Sequence, residues 1–341
     1  MEENLFEQKE ENVFEKAEDN LFKQRIDLSA LSEAVDAIRN EISKVIVGQR
    51  DMVNMLMIGL LCDGHILIEG VPGVAKTLTA KLMAKIINAD FSRIQFTPDL
   101  MPSDVLGTSV FNPKEADFQF KRGPIFSNII LIDEINRAPA KTQAALFEVM
   151  EEKQITIDGT THIMEFPFLV LATQNPIEQE GTYRLPEAQL DRFLFKINVK
   201  YPTLEEEINI LLNQQTLTQN ALLKDVNKIL STAQIAEYRS IIQQVIIDPK
   251  LVEFIAKIVN ETRNTPSLFL GASPRASLAV LKASKANAAI KGRDFVNPED
   301  ILEMAAPVMR HRIILTPEKE MEGITPDELI QNIISSIEVP R

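Results

Sequence analysis

The segment Gly70-Val71-Pro72-Gly73-Val74-Ala75-Lys76-Thr77 places two glycines, a lysine and a hydroxyl within one short stretch. In a loop of this kind successive backbone N–H groups point inward and cradle phosphate oxygens, and a helix starting at its end adds partial positive charge. The spacing predicts that Lys76 reaches the terminal phosphates of a nucleoside triphosphate and that the Thr77 hydroxyl holds Mg²⁺. Gly70, Val71, Pro72, Gly73, Val74, Ala75, Lys76, Thr77 and Leu78 are thus the candidate cofactor-binding run. A glycine turn beside an incidental lysine would read the same over so short a pattern. The usual pattern has Gly before the Lys, and here Ala75 stands there. A Cβ is tolerable at that point where φ stays negative, so Ala75 is expected at negative φ.

A second segment supplies what the first lacks. Ile129-Ile130-Leu131-Ile132-Asp133-Glu134 is an aliphatic run closed by two acids. A buried strand ending in carboxylates puts charge at the sheet edge where ligands bind. Asp133 is suited to a metal through water, and Glu134 to polarising the attacking water. The bland alternative is a core strand that meets solvent at an acidic turn. A third run, Phe168–Thr173, leads into Gln174-Asn175-Pro176. Asn175 at the end of a buried strand suits the same water, although Asn-Pro also simply initiates turns. Two arginines follow, Arg192 in Leu190-Asp191-Arg192-Phe193 and Arg275 in Gly271-Ala272-Ser273-Pro274-Arg275. Lone arginines are ordinarily solvated surface.

The elements that must position these groups are legible as patterns. His65–Glu69 is short and apolar, as a buried strand is, and Thr77–Ala89 carries Leu78, Leu82, Met83 and Ile86 at helical spacing. Ser29 and Ser32 both suit the N-cap of the first helix. Two hairpins interrupt the α/β rhythm: Thr108–Asn112 with Asp117–Lys121, and Gln154–Ile157 with Thr160–Met164 around Asp158-Gly159. Phe111, Phe118 and Phe120 either touch a partner or pack the hairpins on the core. After residue 203 the pattern is almost entirely helical: Leu204–Asn213, Ile235–Val245, Leu251–Thr262, Pro274–Lys291 and Asn297–His311. Asn297-Pro298-Glu299-Asp300 is a helix start with a cap, Pro at the first turn and acids on the dipole. Residues 1–27 are polar and acidic, with Asn4-Leu5-Phe6, Asn12-Val13-Phe14 and Asn20-Leu21-Phe22 recurring. They read as a flexible tail or as a docking arm whose apolar pairs fill pockets on a partner.

The ordered series Gly70–Thr77, Ile129–Glu134, Asn175, Arg192 and Arg275 resembles an AAA+ ATPase, and its wording resembles the MoxR family. The residues that carry this are Gly-Val-Pro-Gly-Val-Ala-Lys-Thr with Ala at 75, Asp133-Glu134-Ile135-Asn136-Arg137-Ala138-Pro139, Ala172-Thr173-Gln174-Asn175-Pro176 and Leu185–Phe193. The likeness spans about residues 28 to 315, and the Ala at 75 is a feature of the family. It implies an αβα P-loop sandwich with a parallel sheet over 28–200, a hinge at Tyr201-Pro202-Thr203, and a C-terminal all-helical lid domain over 203–341. It implies roles: Asn175 and Arg275 as sensors, Arg192 as a finger acting on a neighbouring subunit's site, and Val47-Gly48 in the segment that packs on adenine. Val45–Gln49 also reads as a helix C-terminus with a glycine stop. Arg137 and Arg184 are alternative interface arginines. The implied cofactors are ATP and Mg²⁺. The implied assembly is a homo-oligomer, a hexameric ring in which the hairpins face the pore or one ring surface. Its partners carry von Willebrand factor A domains.

Composition bounds the rest. The chain has 341 residues, enough for two domains, and a net charge of −13, which argues against nucleic acid because backbone binding needs concentrated Lys and Arg. The single cysteine, Cys62, excludes an intrachain disulfide and fits a reducing compartment; its apolar helix marks it as core. No apolar run reaches bilayer-spanning length and the N-terminus lacks a basic, hydrophobic leader, so a cytoplasmic protein is expected. None of the three histidines has metal-ligand or hydrolase spacing. The expected function is Mg²⁺-dependent ATP hydrolysis in a ring that remodels protein complexes or inserts cofactors. The alternative is a nucleic-acid motor of the helicase and chelatase branch.

Overall fold

The computed structural model describes residues 25–340 apart from 72, 176–182, 184 and 217–225. The Asn-Leu-Phe-type repeats, Pro72, Pro176 and Arg184 lie outside the described residues. The chain forms two compact units. Ala34–Tyr238 makes one, and Arg239 onward, with the described residues before Ala34, makes the other. The Tyr201-Pro202-Thr203 segment is non-helical chain inside the first unit.

In chain order the elements of the first unit begin with α1 (Ser29–Ser43), whose first turn belongs to the other unit, and α2 (Arg50–Leu61). Next come β1 (His65–Gly70), α3 (Lys76–Ile86), β2 (Phe91–Gln95) and α4 (Pro102–Leu106). The hairpin β3 (Gly107–Asn112) and β4 (Asp117–Arg122) is followed by β5 (Ile129–Asp133), a 3-10 turn Ile135–Arg137 and α5 (Ala140–Glu152). The hairpin β6 (Gln154–Ile157) and β7 (Thr160–Ile163) precedes β8 (Leu169–Gln174), α6 (Glu187–Leu190), β9 (Phe193–Val199) and α7 (Leu204–Thr216). Neither Ser29 nor Ser32 caps α1. Leu28 O accepts the Ser32 N–H at 2.9 Å, and the Asp27 carboxylate takes the Ser29 N–H at 2.9 Å.

A five-stranded sheet of order β2-β5-β8-β1-β9 organises this unit, and each neighbouring pair is parallel. The apolar runs explain it, since parallel strands covered on both faces carry near-continuous aliphatic sequence. β5 is buried along its whole length. Leu67, Ile130, Ile132, Val170 and Phe193 join Leu146, Phe147 and Met150 of α5 in one core. Each such side chain contributes roughly 1.5–3 kcal/mol when taken from water. His65 is core too. Its Nδ1 accepts the Val170 N–H at 3.1 Å and its Nε2 donates to Met150 O at 3.0 Å, tying β1 to β8 and α5. Cys62 caps the C-terminal end of α2 and is only partly buried, because it stands just past the helix's last apolar turn.

Both hairpins form where the turn residues place them. Asp158 and Gly159 sit at φ +50° and +77°, the pair of positive values that a two-residue turn requires. Phe111 and Phe118 are cross-strand partners, 5.3 Å apart, and both are exposed at 51% and 67%. Phe120 instead stacks on His162 at 4.5 Å and meets Phe126 edge-on. Phe120 therefore takes the packing role, while Phe111 and Phe118 present their rings to solvent.

The second unit is helical but for a short antiparallel ladder. It holds the last turn of α8 (Thr232–Gln243), from Arg239 on, then α9 (Pro249–Asn264), β10 (Leu268–Leu270), α10 (Pro274–Ile290), α11 (Pro298–Met309), β11 (Ile314–Leu315), α12 (Pro317–Met321) and α13 (Pro326–Ser336). Caps set its helix starts. The Asp248 carboxylate accepts the Lys250 N–H, the Ser273 hydroxyl the Arg275 N–H, and Asn297 pairs with Asp300 in a capping box. Ala276, Ala279, Ala283 and Ala286 are buried on α10, whose small side chains let α11 approach closely. Among the described residues no helix is long and apolar enough to cross a membrane.

Candidate nucleotide-binding site

Parallel strands end at one edge of a sheet, and the loops there carry the site. The chain leaves β1 at Gly70 and enters α3 at Lys76. Gly73 takes φ +88° with nothing within 4 Å of the place a Cβ would occupy. Ala75 does not keep the negative φ expected of it. It lies at φ +58°, ψ +20° as the N-cap of α3. The chain reverses there so that the Ala75 carbonyl can accept both the Thr79 N–H at 2.9 Å and the Thr79 hydroxyl at 3.0 Å. A methyl is the smallest side chain that meets this left-handed conformation, after glycine's hydrogen.

A cavity of about 400 Å³ opens beside this loop. Gly73, Val74, Ala75, Lys76, Thr77 and Leu78 line one side; Asp133, Glu134 and Asn175 line another, with Arg93, Gln95 and Thr173. Lys76 Nζ donates to Gly70 O at 2.7 Å. Burial pulls the Lys76 ammonium below the ordinary lysine range, against the opposing pull of Asp133, Glu134 and Glu69. An anionic ligand beside it would oppose the effect of burial and favour the charged form.

The two acids are held by different partners. Asp133 Oδ2 is 2.6 Å from Arg93 Nε, and its Oδ1 accepts the Thr173 hydroxyl at 3.2 Å. The Thr173 oxygen in turn accepts the Glu134 N–H at 3.1 Å. Glu134 turns out of the strand at φ +58°, and its Oε2 accepts from Gln95 Nε2 at 3.0 Å and Arg137 Nε at 2.9 Å. Arg93, Gln95 and Thr173 were not singled out in the sequence. The available signal was the alternation in Phe91-Ser92-Arg93-Ile94-Gln95, where buried Ile94 separates two polar side chains on the opposite face.

The fit to a nucleotide and Mg²⁺ rests on this donor set. The Thr77 hydroxyl and the Asp133 carboxylate are hard oxygen donors, which suit Mg²⁺. The loop that lines the cavity and the N-terminus of α3 suit phosphate.

Other sequence-derived residues lie elsewhere. Val47 and Gly48 line a separate cavity of about 830 Å³ together with Asp36, Arg39 and Asn209. Gly48 has φ +71°, and a Cβ there would come within 2.4 Å of a Glu206 carboxylate oxygen. Arg192 does not line the loop cavity. Its Nη1 donates to Phe147 O at 2.7 Å and lies 3.4 Å from Glu151, at the C-terminal end of α5. Arg275 belongs to the second unit, in the first turn of α10.

Comparison with known proteins agrees with this arrangement. Residues 65–195 match the ATPase family associated with various cellular activities (AAA), and residues 260–333 match an AAA lid domain. YeaC of Bacillus subtilis is 46% identical over 299 residues, spanning 88% of this chain and 92% of its own. Chaperone MoxR1 of Mycobacterium tuberculosis is 44% identical over 310 residues, spanning 88% of this chain and 81% of its own. A crystal structure of a Cytophaga hutchinsonii protein superposes with a TM-score of 0.84 at 45% identity, covering 91% of this chain and 96% of that one. With nearly its whole length aligned to such relatives, the chain belongs to the MoxR family of AAA+ ATPases.

Proposed function

We propose that this chain hydrolyses ATP with Mg²⁺ in a ring of identical subunits, a hexamer, and uses the energy to remodel or mature protein complexes. The observation that carries this reading is the single cavity shared by Lys76, Thr77, Asp133, Glu134 and Asn175. The loop N–H groups and Lys76 bind the phosphates. Thr77 and Asp133 hold Mg²⁺, which would offset phosphate charge. Glu134 takes a proton from the attacking water and Asn175 orients that water. Arg192 of one subunit offsets charge on the phosphoryl group in its neighbour's site, and Arg275 reports the nucleotide to the lid. Val47 and Gly48 contact adenine.

The family resemblance supports a chaperone-like role and a partner bearing a von Willebrand factor A domain. The exposed pair Phe111 and Phe118 suits contact with protein. The net charge of −13 disfavours a nucleic-acid track.

The test is steady-state ATPase activity against protein concentration, with oligomer mass read at each point with and without ATP. Specific activity should rise as the ring assembles. Constant activity in a monomer would exclude shared sites and with them the remodelling ring.

A further inference from the structure

We propose that Arg137 is a positioning residue for Glu134 of its own chain, holding the carboxylate in the orientation from which it takes the proton of the attacking water. The inference rests on Glu134 being that carboxylate.

The local fold aims one side chain at the other. Glu134 leaves β5 at φ +58°, ψ +52°, a costly conformation for a residue with a Cβ and one that persists only where its surroundings impose it. Here the Thr173 hydroxyl takes the Glu134 N–H at 3.1 Å. A single 3-10 turn, Ile135–Arg137, follows at once, and the Arg137 N–H donates to Glu134 O at 2.8 Å. Ile135 and Asn136 are buried, so this turn is anchored from below. The guanidinium is thereby brought back over the residue that opened the turn, with Nε 2.9 Å from Glu134 Oε2. Gln95 Nε2 donates to the same oxygen at 3.0 Å. Two donors on one oxygen fix the plane of the carboxylate and leave its other oxygen for the water.

A stabilising role does not account for the pair. Both side chains are about one-third exposed, at 36% and 31%, and a partly exposed ion pair three residues apart adds little to stability. What the guanidinium adds is direction, since its planar N–H geometry constrains a carboxylate in a way that an ammonium does not. Arg137 was one of the arginines open to a role across a subunit boundary. The contact with Glu134 assigns it to its own chain.

The experiment compares Arg137→Ala, Arg137→Lys and Glu134→Gln in the full chain. Arg137→Ala should lower kcat about tenfold to a hundredfold, leave ATP affinity within about twofold, and leave the melting temperature nearly unchanged. Arg137→Lys should recover part of kcat. Arg137→Ala subunits mixed with Glu134→Gln subunits should gain no activity, because each site needs its own Arg137. Unchanged kcat in Arg137→Ala, an equal loss carried by ATP affinity, or rescue on mixing would each overturn the assignment. Normal turnover by Glu134→Gln would instead remove the reading of Glu134 itself.

Discussion

The Thr173 hydroxyl on β8 donates to Asp133 on β5 at 3.2 Å, while its oxygen accepts the N–H of the next residue, Glu134, at 3.1 Å. One side chain thus serves both acids of the site. Thr173→Val keeps the shape and loses both bonds. It should cost about 1–3 kcal/mol of stability and lower ATP turnover more than ATP affinity. Thr173→Ser should retain most of both. A Thr173→Val protein with full turnover and an unchanged unfolding midpoint would show the two bonds to be inconsequential.

The left-handed Ala75 makes a signed prediction. Ala75→Gly removes the Cβ from a position at φ +58°, so it should leave stability equal or slightly raised despite the added freedom of the unfolded chain. Ala75→Val should cost about 1–3 kcal/mol, since a β-branched side chain is poorly tolerated there. Chemical denaturation measures both. A glycine variant less stable than the natural chain by about 1 kcal/mol would place Ala75 at negative φ in solution.

Lys76 and Glu134 line the same cavity but should fail differently. Lys76→Ala should abolish nucleotide binding, as read by a fluorescent ATP analogue. Glu134→Gln should bind ATP as before and lose roughly 10²- to 10⁴-fold in turnover. Retained affinity in the first or retained turnover in the second would withdraw the role assigned to that residue.

His65 gives a pH dependence. Burial pushes its imidazole down from 6.5 to about 4. Between those values the unfolded chain binds a proton that the folded chain refuses, so stability falls as pH drops from about 6.5 and levels off below about 4. The full effect is on the order of 3 kcal/mol. Unfolding midpoints across pH 4 to 7 check this, and His65→Gln should flatten the slope.

In the second unit Asp300 is fully buried and takes two bonds from Arg293, each 2.7 Å, with a third from Asn287 at 3.1 Å. Asp300→Ala leaves a guanidinium without its counter-ion and should cost about 3–5 kcal/mol. Thermal unfolding that is unchanged in this variant would refute the buried pair as a support of the α10–α11 packing.

Much of this was legible along the chain. Aliphatic runs ending in acids, the Asp158-Gly159 turn and the Asn297-Pro298 start are local signals, and the corresponding β5, hairpin and α11 form within a residue or two of where they were expected. The phosphate loop was equally local. What escaped was whatever depends on a second segment. Arg93, Gln95 and Thr173 enter the site because β2 and β8 flank β5 in parallel register, with Gln95 opposite Asp133 and Ala172 opposite Ile132. Spacing within one strand carries no record of its neighbour. The division of Phe120 from Phe111 and Phe118 likewise depends on His162, a residue of the other hairpin.

The sequence by itself determined the chemistry available to this protein: a lysine and hydroxyl on a glycine loop, two carboxylates after a buried strand, and an ordered set of polar residues downstream. It did so because each of these is a short-range pattern whose meaning survives without its surroundings. The tertiary structure alone decided the positive φ of Ala75 and Glu134, the sharing of Thr173 between two acids, and the turn of Arg137 back onto Glu134. Those follow from packing and register, which bring distant segments together and hold the backbone in conformations that no local preference would select.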